Sequence, residues 1–150
     1  MKDRIIIFTK IILDIMFYGG IVTTLSLPYT LKLAGDYFEA YRDRSHYTEL
    51  LSCYLFLGIF AVFLIRELRK MMITVIADDC FVMENVISLQ KMSLFSFLII
   101  CGSIIRTFLF PTTAMLVVIL VFIIAGLFSR VLSMVFERAI HYKEENDFTI

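Results

Sequence analysis

Among the charged side chains that fall within the apolar stretches of this 150-residue chain, Asp14 and Arg106 have the most chemistry to offer. Asp14 lies about one helical turn inside the first stretch, and Lys10 precedes it by four residues on the same helical face. Arg106 stands about one turn before Pro111, near the end of the third. Ionisable groups at membrane depth are candidates for ion or proton pathways by default. Both positions are shallow, however. An interfacial Lys10–Asp14 pair accounts for the first, and outward extension of the guanidinium accounts for the second. A proton relay needs a ladder of such groups, and the middle of these stretches holds none. Asp14 and Arg106 are therefore the intramembrane charged candidates, each weighed against a purely interfacial role.

Other reactive residue types are sparse. The two histidines, His46 and His141, fall outside the apolar stretches and on opposite sides of them, so no histidine pair for haem or zinc forms between helices. Cys53, Cys80 and Cys101 are odd in number and lack CxxC spacing, which predicts neither a disulfide framework nor a metal site. GxSxG, HExxH and glycine-rich phosphate-loop motifs are absent. No buried acid–base pair can be assembled from what remains. The expectation is a protein that is not an enzyme and that carries no catalytic, cofactor-binding or metal-binding residues.

The elements that position these residues follow from hydropathy. Apolar residues make up 60% of the chain, against roughly 45–50% in soluble domains, and mean hydropathy is +0.88. Residues 56–65 and 107–129 contain no Asp, Glu, Lys or Arg. A chain this short has too little interior to bury so much apolar surface, so lipid must solvate it. Spans of about 20 helical residues cross a hydrocarbon core of roughly 30 Å. The pattern predicts an all-α, polytopic single domain with four transmembrane helices near 11–31, 47–65, 93–110 and 114–136, and Pro111-Thr112-Thr113 turns the chain between the last two. The first stretch is too long for the apolar region of a cleaved signal peptide and reads as a retained anchor.

Basic residues orient the bundle. Lys2, Arg4, Lys10, Arg66, Arg69, Lys70, Lys91, Arg130, Arg138 and Lys143 fall on one side, and Lys32, Arg42, Arg44 and Arg106 on the other. The positive-inside rule then places both termini in the cytoplasm. A loop at 34–46 faces outward, where its tyrosines form either a headgroup belt or a contact surface for a peptide or ligand. A hairpin at 66–92 and a tail at 137–150 face inward. Leu68, Met72 and Val75, then Val82, Val86 and Leu89, then Leu132, Phe136 and Ala139 each show the helical period. Three helical extensions with such stripes either pack into a cytoplasmic crown, with the hairpin turning near residues 77–80, or lie flat on the membrane. Ala125, Ser129 and Ser133 on the last helix, and Gly19-Thr23 and Gly20-Thr24 on the first, have the spacing of helix-packing seams, within one chain or in self-association.

Two segments carry a resemblance. Residues 80–92, CFVMENVISLQKM, resemble a "PFv-eNvk-Lk-i" pattern, and Val135-Phe136-Glu137-Arg138-Ala139 with KEENDFTI at 143–150 resembles a "vFeea…kEENDLTI" ending. Both belong to a family of small four-helix bacterial membrane proteins, common in Gram-positive bacteria and known as a domain of unknown function. Cys80 stands where that family often has proline, and Phe148 where it has leucine. Members are often encoded beside a very small helix-turn-helix regulator. The resemblance thus implies a protein of the bacterial inner membrane that works with a cytoplasmic transcription factor; with a formal net charge of zero, no global charge draws the chain itself to nucleic acid. The resemblance carries no catalytic residues.

The residues allow a physical form of that partnership. Glu144, Glu145 and Asp147 make the tail acidic, Phe148 and Ile150 add apolar anchors, and a DNA-binding domain is basic on its reading face. The tail either meets such a partner or folds back from Asn146 to Ile150 as an extended segment on its own chain. Phe81, Glu84 and Asn85 of the hairpin form the adjoining surface, with Asn85 placed to cap or bridge to the tail's backbone. The expected function is a membrane partner or sensor for a small regulator. The alternative is an immunity or transport-accessory protein that protects the membrane against an antimicrobial peptide.

Overall fold

The computed structural model describes residues 2–37 and 47–148, and over them the chain is four long helices: α1 (Lys2–Tyr37), α2 (Tyr47–Ile76), α3 (Met83–Leu109) and α4 (Thr113–Phe148). Each is long and apolar enough to cross a membrane. Helices are the required form here, because backbone amides and carbonyls in hydrocarbon have no water to bond and must satisfy one another within the segment. At 1.5 Å per residue, α1 and α4 run to about 54 Å, well beyond the roughly 30 Å of the hydrocarbon core. The surplus emerges as the extensions expected from the apolar stripes.

Packing follows chain order: α1 lies on α2, α2 on α3, and α3 on α4. This makes α3 the central helix and leaves α1 the most peripheral. A glycine admits each contact. A Cβ on Gly58 of α2 would lie 2.8 Å from Thr24 Oγ1 of α1, and one on Gly102 of α3 would lie 2.9 Å from the Phe56 ring of α2. On α4, a Cβ on Gly126 would lie 3.2 Å from Ser96 Cβ of α3. The expected small-residue seam on α4 therefore holds at Ser129 and Ser133, which are buried, while Gly126 takes the place expected for Ala125, which is only half-buried. On α1 the contact runs through Gly20 and Thr24, whereas Gly19 faces open space.

The interior mixes small polar residues with a few apolar ones such as Leu89, Met92, Ile99 and Met115, and the exterior is large and apolar. Ser88, Ser96, Ser103, Ser129 and Ser133 are buried, while Phe108, Leu25 and many other large apolar side chains are exposed. Lipid tails are as apolar as leucine, so burying leucine between helices gains little, and close contact across small residues gains more.

The turns are fixed by local chemistry. After α2, Asp79 N–H donates to Thr74 O at 3.1 Å and Asp78 N–H to Val75 O at 3.3 Å, with Asp78 at φ 54°. These are the two bonds of a Schellman motif, and an aspartate tolerates its left-handed position better than most residues. Pro111 closes the α3–α4 turn, where Phe110 N–H donates to Arg106 O at 2.9 Å. At the opposite end from the hairpin, the Tyr47 hydroxyl donates to Pro28 O at 2.9 Å and ties the start of α2 to α1. Residues 38–46, most of the 34–46 loop, lie outside the described residues, as do Thr149 and Ile150.

Candidate functional site

Polar side chains collect in two layers, one at the hairpin end of the bundle and one at the α3–α4 turn. The hairpin layer begins with Glu67 on α2, whose carboxylate is almost fully buried. It accepts a bond from Ser88 Oγ of α3 at 2.9 Å and pairs with Lys70 one turn along at 3.2 Å. A buried carboxylate is tolerable only with such partners. Above it, Asn85 Nδ2 donates to Thr74 Oγ1 at 2.6 Å and to Cys80 O at 2.7 Å. The Thr74 hydroxyl is itself committed as a donor to Met71 O, so both groups facing Asn85 are acceptors. Asn85 thus locks the hairpin instead of reaching the tail, and at 2% exposure it offers no contact surface to a partner. Two of the residues grouped with it remain on the surface, because Phe81 and Glu84 are both exposed.

The hairpin also receives α4. The Phe81 and Phe136 rings pack with centroids 5.2 Å apart, and Lys143 reaches Asp79 at 3.5 Å. The apolar stripes meet as well, with Val86 and Leu89 of α3 buried, Phe136 and Ala139 of α4 half-buried, and Ile140 beside them buried. The three extensions therefore form a crown, and the flat-lying arrangement does not occur. The tail differs from the extended fold-back weighed above. It continues α4 as helix through Phe148, with Glu144, Glu145, Asn146 and Asp147 exposed and Phe148 90% exposed.

Asp14 also departs from expectation. Its carboxylate pairs not with Lys10 but with Arg69 of α2, at 2.6 Å. The Arg69 guanidinium is held further by the face of Phe17, 4.5 Å from the ring centroid. A pair between helices fixes the approach of α1 to α2, which an i,i+4 pair within α1 would not do.

Arg106 is the larger correction. It does not extend outward but is 2% exposed within the bundle. Nη2 donates to the Tyr54 hydroxyl of α2 at 2.7 Å, while Nη1 donates to Thr112 Oγ1 at 2.5 Å and to Phe110 O at 3.3 Å. Tyr54, the α3 terminus and the turn into α4 are thereby joined by one side chain. Nε finds no partner among the described residues, and neither do the Ser96 and Ser103 hydroxyls. The planar fork explains why arginine stands here, since it serves several acceptors at once where lysine is a point charge.

A signal for this burial was present in the sequence. Asn85, Met92, Ile99 and Arg106 follow one another every seven residues, as do Leu89, Ser96 and Ser103, and all seven are buried on α3. Arg106 shares the register of the core-facing positions. Glu67 had no comparable signal, because it sits among Arg66, Arg69 and Lys70 and reads as part of a solvated charge break.

A family model described as a protein of unknown function, DUF2975, matches residues 22–150. No curated protein and no solved structure matches.

Proposed function

We propose that this chain, which belongs to the DUF2975 family, is a non-enzymatic protein of the bacterial inner membrane that holds a small cytoplasmic helix-turn-helix regulator at its hairpin-and-tail end. The supporting observation is the far end of α4. It projects past the crown as formed helix, acidic at Glu144, Glu145 and Asp147 and ending in the exposed Phe148 ring. A preformed helix spares a binding partner the entropy of ordering it. Its carboxylates attract a basic domain from a distance set by ionic strength, and an exposed aromatic supplies the apolar contact that charge alone lacks. Phe81 and Glu84 on the hairpin extend this surface toward the membrane. Both chain ends lie in the cytoplasm in this reading, as the distribution of Lys and Arg suggests.

Deleting residues 144–150 should abolish co-purification with a regulator encoded beside the gene while membrane insertion stays intact. Retained co-purification overturns the proposal. Protection against an antimicrobial peptide would instead draw on residues 37–47, and it predicts that changes there alter peptide sensitivity with the tail dispensable.

A further inference from the structure

The hairpin end of the α1–α2 contact contains a cleft of about 380 Å3 whose lining includes Lys10, Asp14, Arg66, Arg69 and Lys70. Four cations meet one carboxylate there. Asp14 is neutralised by Arg69, and Lys70 is engaged with Glu67. Lys10 and Arg66 carry no ion pair among the described residues, so two positive charges face the cleft uncompensated. Cations converging on one crevice raise the local positive potential and favour an anion there.

The position narrows what that anion is. Arg66 directly follows the charge-free run 56–65, and Lys10 directly precedes the apolar run that begins at Ile11. The cleft therefore sits where hydrocarbon gives way to headgroups. Helix α1 packs on α2 alone to any extent, which leaves the crevice open sideways to lipid, and the neighbouring Ile15 and Ile73 are strongly exposed. Acyl chains would lie along those residues with the headgroup phosphate between Lys10 and Arg66. Basic pockets between transmembrane helices at headgroup level suit anionic lipids in this way.

We propose that this cleft is a binding site for the phosphate of an anionic phospholipid of the leaflet at the hairpin end. The assignment is independent of whether the tail binds a regulator. The Asp14–Arg69 pair closes one wall of the site, so the bound lipid adds a second link between α1 and α2 beside that pair. Lipid composition then bears directly on how firmly α1 is held.

The full chain, purified in neutral detergent, should retain phosphatidylglycerol over phosphatidylcholine in native mass spectrometry, with apparent affinity falling about fivefold for Lys10→Gln or Arg66→Gln and roughly 30-fold for both. Arg138→Gln with Lys143→Gln, which removes two cations at the same end outside the cleft, should leave retention unchanged. Both altered cleft residues are exposed, and the wild-type lipid preference is a test that needs no variant. Equal retention of the two lipids overturns the proposal, as does an equal loss in the control variant. Displacement of phosphatidylglycerol by millimolar inorganic phosphate would show a site for the free anion and would also overturn the lipid assignment.

Discussion

Replacing Arg106 with alanine should destabilise the bundle by about 2–4 kcal/mol. Its guanidinium donates to Tyr54 Oη, Thr112 Oγ1 and Phe110 O, and a bond involving a charged donor contributes on the order of 1.5–3 kcal/mol. The three do not simply add, and the cost of desolvating the guanidinium, several kcal/mol, offsets much of their sum. What remains is dominated by the acceptors left without a donor. The informative measurement is a double-mutant cycle with Tyr54→Phe, which removes a hydroxyl and little else. Unfolding free energies from denaturant titration in mixed micelles should show Tyr54→Phe costing about 1–2 kcal/mol alone. In the Arg106→Ala background the same change should cost far less, for a coupling of about 1–2 kcal/mol. Additivity within about 0.5 kcal/mol would mean that the two groups do not touch, and that Arg106 extends outward after all. Arg106→Lys should recover only part of the stability, because a point charge does not span acceptors on α2 and in the α3–α4 turn together.

Three further outcomes test the packing. Asn85→Ala should cost about 1–3 kcal/mol, and Asn85→Asp should cost more, because a carboxylate would face the two acceptors Thr74 Oγ1 and Cys80 O; the order of the two unfolding midpoints reads this directly. Gly126→Ala should lower stability by about 1–3 kcal/mol through overpacking against Ser96, and Ser96→Gly in the same chain should restore much of it. Asp78→Gly should stabilise by roughly 1 kcal/mol, since φ 54° suits glycine and a carboxylate at the end of α2 opposes the helix dipole; an unchanged or lowered midpoint would contradict the Schellman geometry.

Hydropathy, the proline at position 111 and the apolar stripes were enough to set out four membrane helices and their order, and to offer the crown of α2, α3 and α4 as one of two arrangements, between which the contacts of Phe81 with Phe136 and Lys143 with Asp79 decided. Those properties are local: lipid imposes a length on any apolar run, and a stripe repeating at the helical period must find a surface to cover. The partners of the charged residues were not local. Lys10 stands four residues from Asp14 on one helix, yet Asp14 goes to Arg69, because α1 meets α2 closely enough at Gly20 and Thr24 to bring the two together. Arg106 lies near the end of an apolar run and has the length to reach headgroups. The seven-residue register of α3 turns it inward, where Tyr54 from a different helix completes its bonds. Asn85 was drawn to its own hairpin because Cys80 O and Thr74 Oγ1 face it there, a short reach that no distant tail could match. Amino-acid order alone thus determined which segments enter the membrane, since that depends on transfer energy summed along the chain. Only the tertiary structure decided which polar groups meet, because in a bundle held by small residues a shift of one position in the contact sends a side chain to lipid instead of to its partner.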